Sequence, residues 1–308
     1  MEEGGPMNNA IRLWWRAVRP FAYPASVVPA LLGISLAWSE GAVFRFGLAL
    51  LILLGALAAH TGANLMNDYV DFKRGVDRPG TLGGSGVLVE GLLRPRAILS
   101  ASIIFFAIAF AIAVPLCIRV GLPLVLLVLA GFVAGTGYVL PPFSLKYRAM
   151  GDMTVFFAFG IGITLGSYMV LAREFSWVPV LCAIPIGLLV AAILHANNMR
   201  DVADDRAISI KTLAGQLGLS RSRILYAAIV FGSYGLVLFL SLARIVNPGA
   251  LIAVLTLPIA WRLVFRVWRA PLPAREVLAH AVEQTAKLNL AFGLAMIVGI
   301  LGWTFFTG

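Results

Sequence analysis

Residues 177–197 read WVPVLCAIPIGLLVAAILHAN, and the polar stretch NMRDVADD follows at once over residues 198–205. A helix needs about 20 apolar residues to cross the hydrocarbon core of a bilayer. The run has that length, and it ends abruptly in amide and carboxylate side chains. The stretch therefore predicts a membrane-spanning helix with a polar site at one end.

Eight further apolar runs are similar to this one in length and composition. The nine runs cover residues 21–39, 43–65, 97–117, 121–140, 152–172, 177–197, 222–244, 248–268 and 286–306. Lipid cannot satisfy free backbone groups, and the runs lack the alternation of barrel strands. The sequence therefore predicts an all-α integral membrane protein with nine transmembrane helices in one bundle. Because no long linker divides the runs, we expect a single domain over residues 1–308.

The composition excludes several other classes of protein. Apolar residues make up 60% of the 308-residue chain and charged residues only 12%, whereas a soluble protein carries about 25% charged residues. A water-soluble globule, a disordered chain and a coiled coil are excluded, and two cysteines are too few for a disulfide scaffold. The net charge of +10 comes from basic residues that lie between the apolar runs, where they favour one orientation in a membrane. We therefore expect the lipid bilayer as a partner and no binding of nucleic acid.

The distribution of basic residues predicts the orientation. With nine spans, only Arg45, Arg119, Arg173 and Arg244 of the 24 Lys and Arg residues lie on one side of the membrane. Basic residues concentrate on the cytoplasmic side of membrane proteins. The N-terminus and the two acidic segments described next are therefore predicted to face the cytoplasm, in the inner membrane of the cell.

The first acidic segment, residues 64–77, reads NLMNDYVDFKRGVD and follows the second apolar run. Residues three and four apart share one face of a helix, so Asn64, Asp68 and Asp71 are expected to converge. Carboxylates that converge at a membrane edge repel one another unless a cation is present. Hard oxygen ligands without nearby His or Cys favour Mg²⁺. We therefore predict these three residues as Mg²⁺ ligands, and both carboxylates as catalytic.

The second acidic segment, residues 197–214, reads NNMRDVADDRAISIKTLA. Asn197, Asp201 and Asp205 are spaced by four, so they are expected to converge in the same way. Mg²⁺ usually takes one or two carboxylates and completes its shell with water and substrate phosphates. Two facing segments would suit Mg²⁺ ions that bind a diphosphate. Asp201 and Asp205 are therefore predicted as metal-ligating and catalytic.

Basic, amide and tyrosine side chains surround these carboxylates. Arg and Lys are the usual partners of phosphate oxygens. A third segment, YVLPPFSLKYRAMGD at residues 138–152, ends at the same membrane face and offers groups for an aromatic or anionic co-substrate. The predicted substrate-binding residues are Asn64, Asn67, Lys73, Arg74, Asp77, Tyr138, Lys146, Tyr147, Asn197, Asn198 and Arg200.

Both acidic segments resemble motifs of a known family. NDYVDFKRGVD is similar to the NDxxDxxxGxD form of the first Asp-rich motif of UbiA-superfamily membrane prenyltransferases, and RDVADD is similar to the second. The arrangement NNxRDxxxDxxxxxKTL and the segment PPFSLKYRAMGDMTVFFAFG resemble the 1,4-dihydroxy-2-naphthoate polyprenyltransferases of menaquinone synthesis. The resemblance covers nearly the whole chain.

This resemblance implies a reaction and one more residue. Enzymes of the family transfer an isoprenoid from a prenyl diphosphate to an aromatic acceptor, using Mg²⁺. Lys211 matches a basic residue that follows the second motif, which implies a catalytic role. One position departs from the pattern, because Ile210 stands where naphthoate enzymes often have Gly. Other acceptors, namely 4-hydroxybenzoate, homogentisate or a lipid alcohol, therefore stay open.

Two other classes of function remain as alternatives. A cyclase or phosphatase acting on prenyl diphosphates would need the same Mg²⁺ site. A transporter is disfavoured, because the acidic residues cluster at one membrane face and not at the midplane, where carrier sites usually lie. No obligate protein partner is indicated by the sequence.

Overall fold

A computed structural model describes residues 6–271 and 275–307, and most of these residues are helical. The helices are α1 (Pro6–Val18), α2 (Pro24–Ser39), α3 (Phe46–Lys73), α4 (Pro95–Val120), α5 (Leu122–Gly137), α6 (Gly151–Val155), α7 (Ile163–Ala172), α8 (Trp177–Ala207), α9 (Leu213–Leu217), α10 (Leu219–Leu242), α11 (Leu257–Arg269) and α12 (Arg275–Thr307). Shorter helices of the 3₁₀ type cover Pro20–Ala22, Leu145–Tyr147 and Pro248–Thr256. The N-terminus and the outer ends of the predicted domain lie outside the described residues.

Seven helical segments among the described residues are long and apolar enough to cross a membrane. They are Phe46–Lys73, Pro95–Val120, Gly151–Ala172, Trp177–Ala207, Leu219–Leu242, Pro248–Arg269 and Arg275–Thr307. An eighth is added if Asn9–Ala22 and Pro24–Ser39, which meet at 54°, count as one broken span. The prediction of an all-α membrane bundle is thereby confirmed at seven to eight candidate spans.

The fourth predicted span, residues 121–140, is shorter than expected. Helix α5 has 16 residues, which corresponds to a length of about 24 Å against a hydrocarbon core of about 30 Å. The helix ends at Gly137 because Pro141 has no N–H group to bond to the Gly137 carbonyl. Helix length therefore supports seven or eight of the nine predicted spans among the described residues. That α5 is the ninth span stays a prediction.

Helix α8 lies at the centre of the bundle. It packs against α10, α12 and α2, while α2 also packs on α7 and α3 pairs with α4. Ile186, Leu189 and Met199 of α8 are completely or almost completely buried. In a membrane bundle such residues are held mainly by close packing between helices. The polar C-terminal turns of α8 are thus supported by a rigid apolar core.

A π-helical stretch, Phe156–Gly162, joins α6 to α7. Within it a Cβ atom built on Gly160 would lie 2.4 Å from the Cα atom of Gly187 on α8. Only glycine permits this approach, because any larger residue would push the two helices apart. The contact brings the beginning of the α6–α7 span close to α8.

The connection between α3 and α4 folds over the acidic end of α3. Arg16 of α1 donates to the Ser85 carbonyl and to the Glu90 carboxylate, both over 2.8 Å. A small apolar cluster supports the same connection, and its buried members are Ala17, Leu65, Val87, Leu88 and Ile98. The glycine-rich part of this connection is therefore held against α1, α3 and α4.

Candidate active site

A cavity of about 220 Å³ lies among the ends of α2, α3, α5 and α8. Nine of the residues predicted as site residues line it, namely Asn64, Asn67, Asp77, Tyr138, Lys146, Asn197, Asn198, Asp201 and Asp205. The remainder of the wall is largely apolar and includes Val155, Phe159, Val190, Ile193 and Leu194. The structure therefore brings both acidic segments to one cavity that has a polar mouth and an apolar interior.

Asp68 is held by groups from outside its own helix. Arg19 Nη2 donates to Asp68 Oδ1 over 2.8 Å, and the backbone N–H of Ser85 donates to Asp68 Oδ2 over 3.1 Å. The Arg19 backbone is left-handed, with φ of 53°, at the junction between α1 and α2. This strained junction places the guanidinium at the cavity wall.

Asp71 is fully buried and lies at the centre of a hydrogen-bond network. Lys146 Nζ donates to Asp71 Oδ2 and, over 2.9 Å, to Asn67 Oδ1. Tyr147 donates its hydroxyl to Asp71 Oδ1 over 2.6 Å. Burial lowers the pKa of Lys146, but the Asp71 carboxylate outweighs it and raises the pKa above its usual range. Lys146 therefore stays charged and holds the segment 138–152 against α3.

The Asp77 carboxylate packs against Gly84, at a position where only glycine fits. A Cβ atom built on Gly84 would lie 2.2 Å from Asp77 Oδ2, and Gly84 has a positive φ of 61°. Burial, and after it the charge of Asp71, raises the pKa of Asp77 to about 7. A cation or another donor beside this carboxylate would favour its ionised form.

The second acidic segment carries its own counter-charge. Arg200 donates from Nε to Asp201 Oδ1 over 2.7 Å and from Nη2 to Asp201 Oδ2 over 2.6 Å. Asn197 Nδ2 lies 3.3 Å from Asp201 Oδ2, so the predicted i, i+4 contact is confirmed. Asp205 is buried on the same face of α8. Asp204 does not line the cavity. It forms an ion pair with Arg275, and Arg78 Nη2 lies 4.0 Å from its other carboxylate oxygen.

Lys211 and three other predicted basic residues, Lys73, Arg74 and Arg200, do not line the cavity. The backbone N–H of Ala149 donates to the Lys211 carbonyl over 2.6 Å, which joins the two segments. The Lys211 side chain itself is exposed, so this geometry does not support its predicted catalytic role. Lys73 is exposed as well, and Arg74 stacks over the Tyr147 ring at 4.5 Å.

Asp152, which is not among the predicted site residues, does not line the cavity but contacts Asn198, which does. It accepts a hydrogen bond from Asn198 Nδ2 over 2.9 Å and pairs with His195 Nδ1 at 2.7 Å. Asp152 is the one aspartate outside the two acidic segments. Its isolation from the other aspartates concealed it, although it is the last residue of the segment 138–152 that is predicted to meet the co-substrate.

Two buried hydrogen-bond donors of residues that line the cavity, Arg19 Nε and Asn64 Nδ2, have no partner among the described residues. A buried donor left unsatisfied costs roughly 1–3 kcal/mol. Donors gathered in this way fit a ligand that supplies several acceptor oxygens, such as a diphosphate.

The donor chemistry also fits Mg²⁺. In residues 6–271 and 275–307, no three His, Cys, Asp or Glu side chains come together closely enough to hold a metal ion. Mg²⁺ does not need such a cage, since it is commonly bound by one or two carboxylates plus substrate phosphates. The oxygens at the cavity are carboxylates, from Asp77, Asp201 and Asp205, and amides, which are the hard ligands that it prefers. Of the predicted ligands, Asp68 and Asp71 do not line the cavity. The assignment of Asn64, Asp68, Asp71, Asp201 and Asp205 as Mg²⁺ ligands therefore stays a prediction.

Comparisons with known proteins match this site and fold. The sequence profile of the UbiA prenyltransferase family matches residues 26–290. The chain is 31% identical over 287 residues to UbiA prenyltransferase domain-containing protein 1 of Mus musculus, covering 92% of this chain and 82% of that protein. It is 30% identical over 290 residues to 1,4-dihydroxy-2-naphthoate octaprenyltransferase of Bacillus subtilis (strain 168), covering 94% and 92%.

Solved structures share the fold at lower sequence identity. The apo structure of a UbiA homolog from Aeropyrum pernix K1 superposes with a TM-score of 0.70 and 15% identity, covering 91% of this chain and 98% of that one. A UbiA homolog from Archaeoglobus fulgidus bound to GPP and Mg²⁺ gives a TM-score of 0.65 and 19% identity, covering 92% and 99%.

Proposed function

Because the chain belongs to the UbiA prenyltransferase family of integral membrane enzymes, we propose that it prenylates 1,4-dihydroxy-2-naphthoate in menaquinone biosynthesis. The donor is a prenyl diphosphate, and the naphthoate loses CO₂. The relative from Bacillus subtilis carries the name of this reaction, and a family member from Archaeoglobus fulgidus binds GPP together with Mg²⁺. The observation that carries the proposal is the cavity that joins both acidic segments to an apolar interior.

The polar mouth supports binding of the diphosphate. The Arg19 guanidinium and the Asn64 amide line the cavity and present donors that lack partners within the described part of the chain. Mg²⁺, held by Asn64, Asp68, Asp71, Asp201 and Asp205, would neutralise the charge that develops on the departing diphosphate. The cationic side chains add to that neutralisation and hold the diphosphate in one orientation.

The apolar interior supports binding of the isoprenoid and the ring. When the bond between the allylic C1 and oxygen breaks, its electron pair leaves with the diphosphate. The ring carbon of the naphthoate that bears the carboxylate supplies the pair for the new bond to C1. Release of the carboxyl group as CO₂ returns the electron pair of its C–C bond to the ring and restores aromaticity. Phe159 and Val190, which line the interior, exclude water that would otherwise capture the allylic cation.

We also propose that the protein lies in the cell membrane as one domain over residues 1–308, with the cavity mouth at the cytoplasmic side. The basic residues concentrate at the ends of the helices that carry the mouth, as the positive-inside rule requires. In this arrangement α5 is the ninth span, and local thinning or its neighbours would compensate for its length.

A Gly84→Ala substitution is expected to raise the KM for the prenyl diphosphate about tenfold or more. This factor corresponds to the loss of one hydrogen bond to a charged group. The added Cβ would displace the Asp77 carboxylate, which it would approach to 2.2 Å. Gly80→Ala is the matched control, since Gly80 also has a positive φ, of 89°, but has no atom within 4 Å of its Cβ position. Steady-state kinetics that show equal KM values for both variants would contradict this role of the Gly84 turn.

Mass spectrometry of reaction products tests the proposed function. The purified protein receives geranylgeranyl diphosphate, Mg²⁺ or EDTA, and either 1,4-dihydroxy-2-naphthoate, 4-hydroxybenzoate, homogentisate or a lipid alcohol. We expect a Mg²⁺-dependent naphthoate adduct that has lost CO₂. An adduct with another acceptor only would move the enzyme to another pathway. Release of diphosphate with a cyclised hydrocarbon or a free alcohol, and without an adduct, would refute the transferase activity for these acceptors.

A further inference from the structure

Behind the cavity wall, a buried hydrogen-bond chain joins Asp152, His195 and Asn198. His195 is fully buried, and the exposed fractions of Asp152 and Asn198 are 6% and 7%. The chain connects the beginning of α6 to the face of α8 that carries the second acidic segment. Polar side chains buried together in a membrane bundle are costly, so their presence indicates a function.

The positions of the hydrogen atoms follow from the partners of His195. Its Nε2 atom lies 3.2 Å from the backbone carbonyl oxygen of Ser222, which can only accept, so Nε2 carries a hydrogen. Its Nδ1 atom faces Asp152 Oδ2 at 2.7 Å, so one further proton lies between these two atoms. Whichever of the two atoms holds this proton, the other carboxyl oxygen of Asp152 remains an acceptor.

This acceptor determines the orientation of the Asn198 amide. Asp152 Oδ1 lies 2.9 Å from Asn198, and only the amide nitrogen can donate to it. The carbonyl oxygen of Asn198 is therefore directed away from Asp152. Within the described residues, the hydrogen bond to Asp152 is the only one that the Asn198 side chain makes. Asn198 lines the cavity, so its free carbonyl oxygen is available to a ligand there.

The surroundings of Asn198 suit an aromatic ring. Tyr138, Phe159 and Leu194 line the same cavity, and they offer flat and apolar surfaces. The diphosphate donors described above, Arg19 and Asn64, lie at the junction between α1 and α2 and on α3, whereas Asn198 lies on α8. The Asn198 oxygen is an acceptor, which a diphosphate, itself rich in acceptor oxygens, cannot satisfy.

We propose that Asp152 and His195 are positioning residues that direct the Asn198 carbonyl oxygen toward a ring hydroxyl of the aromatic acceptor. The inference rests on the proposed function and deepens it, because it names the group that recognises the acceptor. A ring hydroxyl donates a hydrogen bond to this oxygen and makes the neighbouring ring carbons electron-rich. Selection of hydroxylated rings and reactivity toward the allylic cation are thereby linked.

The test compares Asp152→Ala with Asp152→Asn in the full-length protein. Alanine releases the Asn198 amide, so the KM for 1,4-dihydroxy-2-naphthoate is expected to rise about tenfold, as for one lost hydrogen bond. The KM for geranylgeranyl diphosphate should remain unchanged. Asparagine at this position can accept from Asn198 and donate to the neutral His195 Nδ1, so this variant should keep a naphthoate KM close to that of the unsubstituted protein.

A matched control separates positioning from stability. Tyr226→Phe removes a buried hydrogen bond to Thr285 Oγ1 of 2.7 Å, and Tyr226 does not line the cavity. This variant should change the unfolding temperature without changing the naphthoate KM. If Asp152→Ala does not fold, Asn198→Ala removes the recognising oxygen itself and should give the same selective rise in KM.

Three results would overturn the inference. They are an unchanged naphthoate KM in Asp152→Ala, equal rises in the KM of both substrates, and an Asp152→Asn variant as impaired as Asp152→Ala. Equilibrium binding of 1,4-dihydroxy-2-naphthoate, followed by tryptophan fluorescence, separates this claim from the proposed function. Naphthoate binding that Asp152→Ala weakens about tenfold, without any prenylated product, would refute the function and support the inference. Product formation by Asp152→Ala with an unchanged naphthoate KM would support the proposed function and refute the inference.

Discussion

Turnover of the Asp201→Asn variant is expected to fall about 100-fold or more. Removal of one group that stabilises developing charge typically lowers the rate by this factor. Asp201 lines the cavity and accepts two hydrogen bonds from Arg200. Asparagine can still accept from Arg200, so the variant should fold. It lacks the negative charge that we predict to hold Mg²⁺ at the diphosphate. Single-turnover measurements at saturating substrate, with the folded fraction checked by thermal unfolding, give the comparison.

Asp204→Asn is the matched control for this substitution. Asp204 lies on the same helix, three residues further on, but it forms an ion pair with Arg275 and does not line the cavity. A partly exposed ion pair contributes little to stability, about 0–1 kcal/mol, so we expect turnover close to that of the unsubstituted protein. Equal losses in the two variants, or undiminished turnover in Asp201→Asn, would contradict the role of Asp201.

The Lys146→Met variant is expected to lose stability as well as activity. Lys146 is the cation beside Asp71, whose side chain is only 1% exposed. Removing one partner of a buried ion pair costs about 3–5 kcal/mol, because the other charge remains buried and unpaired. The methionine side chain keeps the volume and removes the charge. The expected result is a lower unfolding temperature together with strongly reduced turnover.

A second substitution separates the two effects of Lys146. In the double variant Lys146→Met, Asp71→Asn no unpaired charge remains, so much of the lost stability should return while turnover stays low. Lys287→Met is the matched control, since Lys287 is exposed on α12, and it should leave the unfolding temperature unchanged. An unfolding temperature that falls further in the double variant would refute the ion-pair account.

Local patterns in the sequence were sufficient to predict the helices that carry the site. The apolar runs end at or beside Asn64 and Asn197, and α3 and α8 indeed continue beyond these residues, to Lys73 and Ala207. The spacing of four between Asn197 and Asp201 predicts their contact. The end of α5 at Gly137 also follows from a local feature, because Pro141 cannot donate the hydrogen bond that would extend the helix, although the apolar run continues to Leu140.

Partners from distant parts of the chain could not be predicted in the same way. Arg19 and Ser85 both bind Asp68, although they are 49 and 17 residues away from it in sequence. Lys146 and Lys211 are equally plausible from the sequence, and only the folded chain shows that the first is buried beside Asp71 and the second is exposed. Such choices depend on tertiary packing, for which a single sequence carries no local signal.

The measurement that tests the central claim most directly is a structure of the protein with Mn²⁺ and an unreactive geranylgeranyl thiodiphosphate. Anomalous scattering locates the Mn²⁺ ions, which replace Mg²⁺. We expect metal and diphosphate together at the cavity mouth, in contact with carboxylates from both acidic segments, and the isoprenoid in the apolar interior. Metal or diphosphate bound elsewhere, or bound through one acidic segment alone, would contradict it.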